Sequence, residues 1–136
     1  VPEPVQALIF DCFGVIYLDD GFDAELLEYI LQLKSHYKIG MLSNVGKGSL
    51  QRLFAPEVLA THFDVALSSG DIGIAKPRAG AFATVAEQLG VPPEHCIMID
   101  DTPAYCTAAR AAGMQAIDYW SLLQLRRELA QLGIVV

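Results

Sequence analysis
The chain has 136 residues, 53% of them hydrophobic and 18% charged, and its 16 acidic against 9 basic side chains give a net charge of -7. That length builds one domain with a proper core and needs no disulfide or structural metal, and an acidic chain without a Lys or Arg cluster lacks the footprint of a nucleic-acid binder. Cys12, Cys96 and Cys106 have no metal-type spacing and read as reduced thiols of a cytoplasmic protein, while no apolar run is long enough to span a membrane and the opening VPEPVQ lacks the basic and apolar regions of a signal peptide.

The first element lies in VQALIFDCFGV, residues 5 to 15. Val5, Ala7, Leu8, Ile9 and Phe10 form an apolar run too short for a helix, which predicts a strand buried on both faces of a parallel sheet and ending at Asp11. Gly14 permits a sharp turn beside it. The next piece, VIYLDDGFDAE, closes with Asp19, Asp20 and Gly21 and is expected as a small flap or turn. Asp23 is placed to cap a helix whose Leu26, Leu27, Ile30, Leu31 and Leu33 make one apolar stripe. Residues 38 to 43, KIGMLS, predict a second strand with Ser43 and Asn44 at its end. A loop containing Gly46, Gly48 and Ser49 follows, then a helix from about Leu50 that carries Leu53 and Phe54 inward and is interrupted by Pro56.

DVALS, residues 64 to 68, predicts a third strand, and SGDIGIAKP a glycine-punctuated loop that brings Lys76 to its end before Pro77. The helix beyond it sets Phe82, Val85 and Leu89 on one side and stops at Gly90 and the Pro92-Pro93 pair. CIMID, residues 96 to 100, is a fourth buried strand ending in Asp100-Asp101. A helix over 103 to 112, stopped by Gly113, leads to a fifth strand, MQAID. The final helix, from about Ser121 to Leu132, places Leu122, Leu125, Leu129 and Leu132 on one face and Arg126, Arg127 and Glu128 on the other.

Strands alternating with helices predict an α/β fold, a parallel sheet with helices on both faces. Asp11, Ser43, Lys76 and the pair Asp100-Asp101 all fall at or just beyond strand ends, on the edge where such a fold builds its site. Singly they read as a cap, a turn or a surface charge; together they form a set. Three acids meeting at one rim call for a cation, and a hard metal with oxygen ligands, Mg²⁺, is the natural completion. Asp11 then has one oxygen for the metal and one to attack an electrophile. The Ser43 hydroxyl and the Asn44 backbone N–H donate to a phosphoryl oxygen, and Lys76 neutralises both that group and the nucleophile.

Four quoted pieces, IFDCFGV at 9 to 15, MLSN at 41 to 44, Lys76-Pro77, and IMIDD followed by AARAAGM at 97 to 114, carry a resemblance over nearly the whole chain. The sequence resembles the haloacid dehalogenase-like (HAD) superfamily. The resemblance implies a single HAD-like core domain over residues 1 to 136, a Rossmann-like three-layer sandwich with a five-stranded parallel sheet of order 5-4-1-2-3, a Mg²⁺ cofactor and, as in most members, phosphate-ester hydrolysis through an aspartyl-phosphate. By position Asp11 looks like the nucleophile and a metal ligand, Ser43 like the phosphate binder, and Lys76 like the cation that steadies the nucleophile. Asp101 aligns with the direct carboxylate ligand and Asp100 with its water-holding neighbour, two roles open to exchange, and the backbone carbonyl of Phe13 would supply another ligand.

Two positions depart from the pattern. Phe13 stands where phosphatases carry the acid that protonates the leaving oxygen and later activates water, and losing a general acid costs about a hundredfold to ten-thousandfold in rate. Tyr105 stands where an Asn or Asp is usual, with the loss of one supporting hydrogen bond as the expected effect. Dehalogenases of the superfamily share an aromatic at the Phe13 position, but they usually lack an acid pair such as Asp100-Asp101 and use a cap domain.

The short spacings from Asp11 to Ser43 and from Ser43 to Lys76 leave no room for a cap. An open site suits a phosphorylated substrate carried on something large, or cover by a neighbouring copy of the chain. The expected function is Mg²⁺-dependent phosphate monoester hydrolysis, slow unless Asp19, Asp20 or a substrate group replaces the missing acid. The alternatives are a domain that binds Mg²⁺ and phosphate, or a protein partner, without turnover, and, ranked below both, a metal-free dehalogenase.

Overall fold
Strand β1 is Ala7–Phe10, and none of its four side chains is exposed to solvent. Its alternation explains why: Leu8 and Phe10 point into one apolar layer and Ala7 and Ile9 into another, so the strand is covered on both faces. The first layer is closed by α1 (Ala24–Lys34) and α7 (Leu122–Gln131), the second by α5 (Ala79–Leu89) and α6 (Pro103–Ala111). The structure, a computed structural model, describes residues 4–136; the first three residues of the VPEPVQ opening lie outside it. Among the described residues no helix is long and apolar enough to cross a membrane.

Beside β1 lie β4 (Lys38–Ser43) and β6 (Cys96–Asp100), with β5 (Val65–Ser68) and β7 (Gln115–Asp118) at the two edges, all parallel, in the order β5-β4-β1-β6-β7. Counted over these five strands, the order is the expected 5-4-1-2-3. The expected flap is a small antiparallel hairpin of β2 (Tyr17–Leu18) and β3 (Gly21–Phe22), with Asp19 and Asp20 at its tip. Asp23 caps α1 as read, accepting from the N–H groups of Glu25 and Leu26. Only this hairpin and α1 separate β1 from β4, so no cap domain is inserted there.

Three local readings need correction. Pro56 does more than interrupt a helix: α2 (Ser49–Leu53) ends before it, and Pro56 opens a further helix, α3 (Pro56–His62), where its missing N–H has no partner to lose. The stretch read as a loop after β5 holds one helical turn, α4 (Ser69–Ile72), because Ser68 caps it by accepting from the Asp71 N–H and donating to the Asp71 carboxylate. Leu132 is 45% exposed rather than inward, since α7 ends at Gln131 and the chain turns through Gly133 so that Ile134 takes the buried place.

Candidate active site and metal centre
The register of the sheet pairs Phe10 with Met41 on one side and Ile99 on the other. The next residues along, Asp11, Leu42 and Asp100, therefore form a row across the carboxyl edge. Lys76 closes that row. Its ammonium donates to Asp11 Oδ1 at 3.1 Å, to the Leu42 carbonyl at 3.0 Å and to Asp100 Oδ2 at 2.7 Å. Lys76 is 3% exposed, and an ammonium that deep is tolerated because each of its three protons has an acceptor. Asp100, fully buried, is held on its other oxygen by the Thr102 N–H at 3.0 Å.

Carboxylate oxygens of Asp11, Asp100 and Asp101 lie within 4.8 Å of one another. Three carboxylates, once all are ionised, leave two negative charges in surplus over the one ammonium, and the donors are all hard oxygens, so the set fits one divalent cation of the Mg²⁺ type. In the metal-free protein burial pushes the Asp11 carboxyl up to about 7; Lys76 pulls it down and Asp100 pushes it further up. Asp101 is exposed and reaches the other two acids across Gly14. Gly14 has φ +87°, and a Cβ there would lie 2.1 Å from Asp101 Oδ2, so the glycine is required twice, for its backbone and for the space it leaves.

Ser43 ends β4 and is 2% exposed, with its hydroxyl engaged by no partner among the described residues. Phe13 sits in the turn that carries Asp11 into the hairpin; the residue is 45% exposed and its ring is edge-on to Tyr17 at 5.5 Å. The row of rings continues through Phe22 to Phe54. A cavity of 490 Å³ opens here, lined by Phe13, Gly14, Tyr17, Leu18 and Asp19. Cys12, next to Asp11, is held as the thiol: burial first, and the Asp11 charge second, push it up to about 12.

A family model described as haloacid dehalogenase-like hydrolase matches residues 13–113. The chain belongs to that family. A phosphatase of Mycobacterium tuberculosis is 36% identical over 104 residues, covering 73% of this chain and 48% of its own length, so the chain spans about half the length of this curated relative. A Corynebacterium glutamicum protein of uncharacterised function superposes with TM-score 0.81 at 26% identity, covering 97% of this chain and 98% of that one. A HAD family enzyme of Bacteroides thetaiotaomicron, solved in complex with magnesium and inorganic phosphate, superposes with TM-score 0.75 at 17% identity over 89% of this chain and 98% of that one, which shows the shared fold.

Within this HAD fold two side chains do work that the sequence did not reveal. Asn44 is expected to offer its backbone N–H to phosphate, but its side chain is committed elsewhere: Oδ1 accepts from the Lys76 N–H at 3.0 Å and Nδ2 donates to the Lys76 carbonyl at 2.8 Å. This reciprocal pair fixes the backbone of the residue whose ammonium closes the site. Tyr105 does not merely lose a hydrogen bond. Its hydroxyl accepts from Asn44 Nδ2 at 3.3 Å, and its ring lies 5.2 Å from the Lys76 ammonium, close enough for a cation–π contact. The only sequence signal was Tyr105 itself, an aromatic in the first turn of the helix after the acid pair.

Proposed function
We propose that this chain hydrolyses phosphate monoesters through a phosphorylated Asp11, with Mg²⁺ as its cofactor. The observation that carries the reading is the Lys76 ammonium bridging Asp11 and Asp100 while Asp101 completes a three-carboxylate cluster at the same sheet edge. Each oxygen of Asp100 already accepts one bond, from Lys76 or Thr102, which favours the exposed Asp101 as the direct ligand beside Asp11, with the remaining lone pairs of Asp100 left to hold a water, and the Phe13 carbonyl adding a further oxygen. Mg²⁺, when bound, neutralises phosphoryl oxygens and the acids around them.

Asp11 attacks phosphorus as the ester P–O bond breaks, forming an acyl phosphate that water then splits to release inorganic phosphate. Lys76 orients Asp11 and balances its charge; the Ser43 hydroxyl donates to a phosphoryl oxygen. Phe13 supplies no proton, so the first step favours leaving groups that depart as stable anions, and the second lacks a base for water. Asp19 lines the same cavity as Phe13 and brings an exposed carboxylate to that side. The phosphatase relative and the magnesium and phosphate bound by the Bacteroides enzyme are consistent with this reading.

The exposed ring in the acid's place also favours a second reading, a site that binds Mg²⁺ and phosphate without turnover. Phosphate release from an aryl phosphate with Mg²⁺, in the wild type and in Asp11→Asn, separates them. Asp11-dependent release is expected; its absence leaves only binding. Phe13→Asp is expected to raise hydrolysis of alkyl esters about tenfold or more.

A further inference from the structure
Among the described residues every Lys and Arg side chain of this acidic protein has a use inside the fold except three. Lys34 pairs with Asp64, Lys38 donates to the Leu89 carbonyl, Lys76 closes the site and Arg110 pairs with Asp118. Arg52 donates to Lys47 O and Ser49 Oγ, and Arg126 lies over the Tyr29 ring. Lys47, Arg78 and Arg127 make no hydrogen bond, ion pair or ring contact among the described residues. Arg127 is on α7. Lys47 lies three residues beyond Asn44 and Arg78 two beyond Lys76, so two of the three stand on segments that leave the candidate site.

A cavity of 670 Å³ opens beside Asn44, lined by Gly46, Ser69, Gly73 and Ile74 among others, and Arg78 is its one charged lining residue. Among the described residues no carboxylate lines it. Its walls are built: the Gly70 N–H and the Ser69 hydroxyl both bind the Val45 carbonyl, and Gly70 approaches Lys47 so closely that a Cβ would lie 2.1 Å from the Lys47 nitrogen. The cavity on the other side, by Phe13, is aromatic and carries Asp19. The two spaces adjoining the site thus differ in sign, and a ligand with two negative ends is directed to the Arg78 side.

We propose that Arg78 reads a second anionic group on the organic part of a phosphorylated ligand, so that the substrates of this site are phosphate monoesters bearing a carboxylate or a further phosphate. A guanidinium with no internal partner offers its paired N–H groups to such a group without breaking an existing bond. This inference rests on the hydrolase reading above and names the class of its substrate.

The test compares two non-hydrolysable probes of equal chain length, propylphosphonate and 3-phosphonopropanoate, titrated by NMR into the full chain with Mg²⁺ present. The carboxylated probe should bind about tenfold more tightly to the wild type, and Arg78→Gln should bring the ratio close to one. Arg78 is exposed and makes no side-chain cap on α5, so its replacement leaves the fold intact. Equal affinities in the wild type, a preference that survives Arg78→Gln, or no binding of either probe would overturn the inference. The matching phosphate esters are assayed alongside: no turnover with the probe preference intact would fail the hydrolysis reading and leave the recognition by Arg78 standing.

Discussion
The carboxylate of Asp101 occupies the space that any side chain on residue 14 would need, with Oδ2 only 2.1 Å from an ideal Cβ on Gly14. The turn after Asp11 and the third acid are therefore fitted to each other, although they are far apart in sequence. Gly14→Ala must displace Asp101 and strain a backbone at φ +87°. Calorimetric titration should show Mg²⁺ affinity falling at least about tenfold, while thermal unfolding shows a smaller loss of about 1–2 kcal/mol. Unchanged Mg²⁺ uptake in a folded Gly14→Ala protein would remove Asp101 from the metal site.

Lys76 bonds two buried carboxyl groups at once, so its removal should be expensive for the fold as well as for the chemistry. Lys76→Met leaves Asp11 and Asp100 facing each other without a cation, and breaking a buried pair from one side costs about 3–5 kcal/mol near neutral pH. Urea unfolding should show that loss shrinking as pH falls and the orphaned carboxyls take up protons. A loss independent of pH would mean that packing of the Lys76 stem, not its charge, is what the fold uses.

In the metal-free protein Asp11 is held up to about 7 by burial, against 3.8 for an ordinary Asp. The folded chain keeps a proton there that the unfolded chain has already released, so this group's contribution to stability falls as pH rises from about 4 to about 7. On the proposed ligand set, Mg²⁺ would take the Asp11 carboxylate and expel that proton. Titration calorimetry in buffers of different ionisation enthalpy should find about one proton released per Mg²⁺ near pH 6 and almost none near pH 8. Equal release at both values would place Asp11 outside the ligand set.

Tyr105 is predicted to act through Lys76. Tyr105→Phe keeps the ring over the ammonium and loses only the hydroxyl that Asn44 donates to, whereas Tyr105→Leu loses both. Turnover of an aryl phosphate should fall less than about threefold in the first and about tenfold in the second, in kcat rather than KM, with Mg²⁺ affinity unchanged. Equal effects of the two changes would assign the role to the hydroxyl instead.

Much of this was legible in the residues, and the parts that were not have a common cause. The strands stood out because Ala7 to Phe10 and Cys96 to Asp100 are uniformly apolar until they reach an acid, and α1 because a capping Asp precedes a stripe of Leu and Ile. The acids, Ser43 and Lys76 were found from their places at strand ends. What escaped depends on contacts between distant residues: Asn44 meets Lys76 across 32 positions and Tyr105 across 61, and nothing local in MLSN shows that the amide will turn to the lysine rather than to a ligand. The helices α3 and α4 escaped because a proline and two serines favour turns as readily as helix starts. Leu132 failed because helical periodicity ceases to apply one residue past α7.

The proposed hydrolysis requires Asp11 to become covalently phosphorylated. Because Phe13 cannot activate water, the acyl phosphate should form from an activated donor and then persist. The most direct measurement is mass spectrometry of the protein quenched in acid after incubation with acetyl phosphate and Mg²⁺. The predicted result is a single phosphoryl adduct on the peptide containing Asp11, discharged by hydroxylamine and absent from Asp11→Asn; an adduct elsewhere, or none in a protein that takes up Mg²⁺, would contradict it.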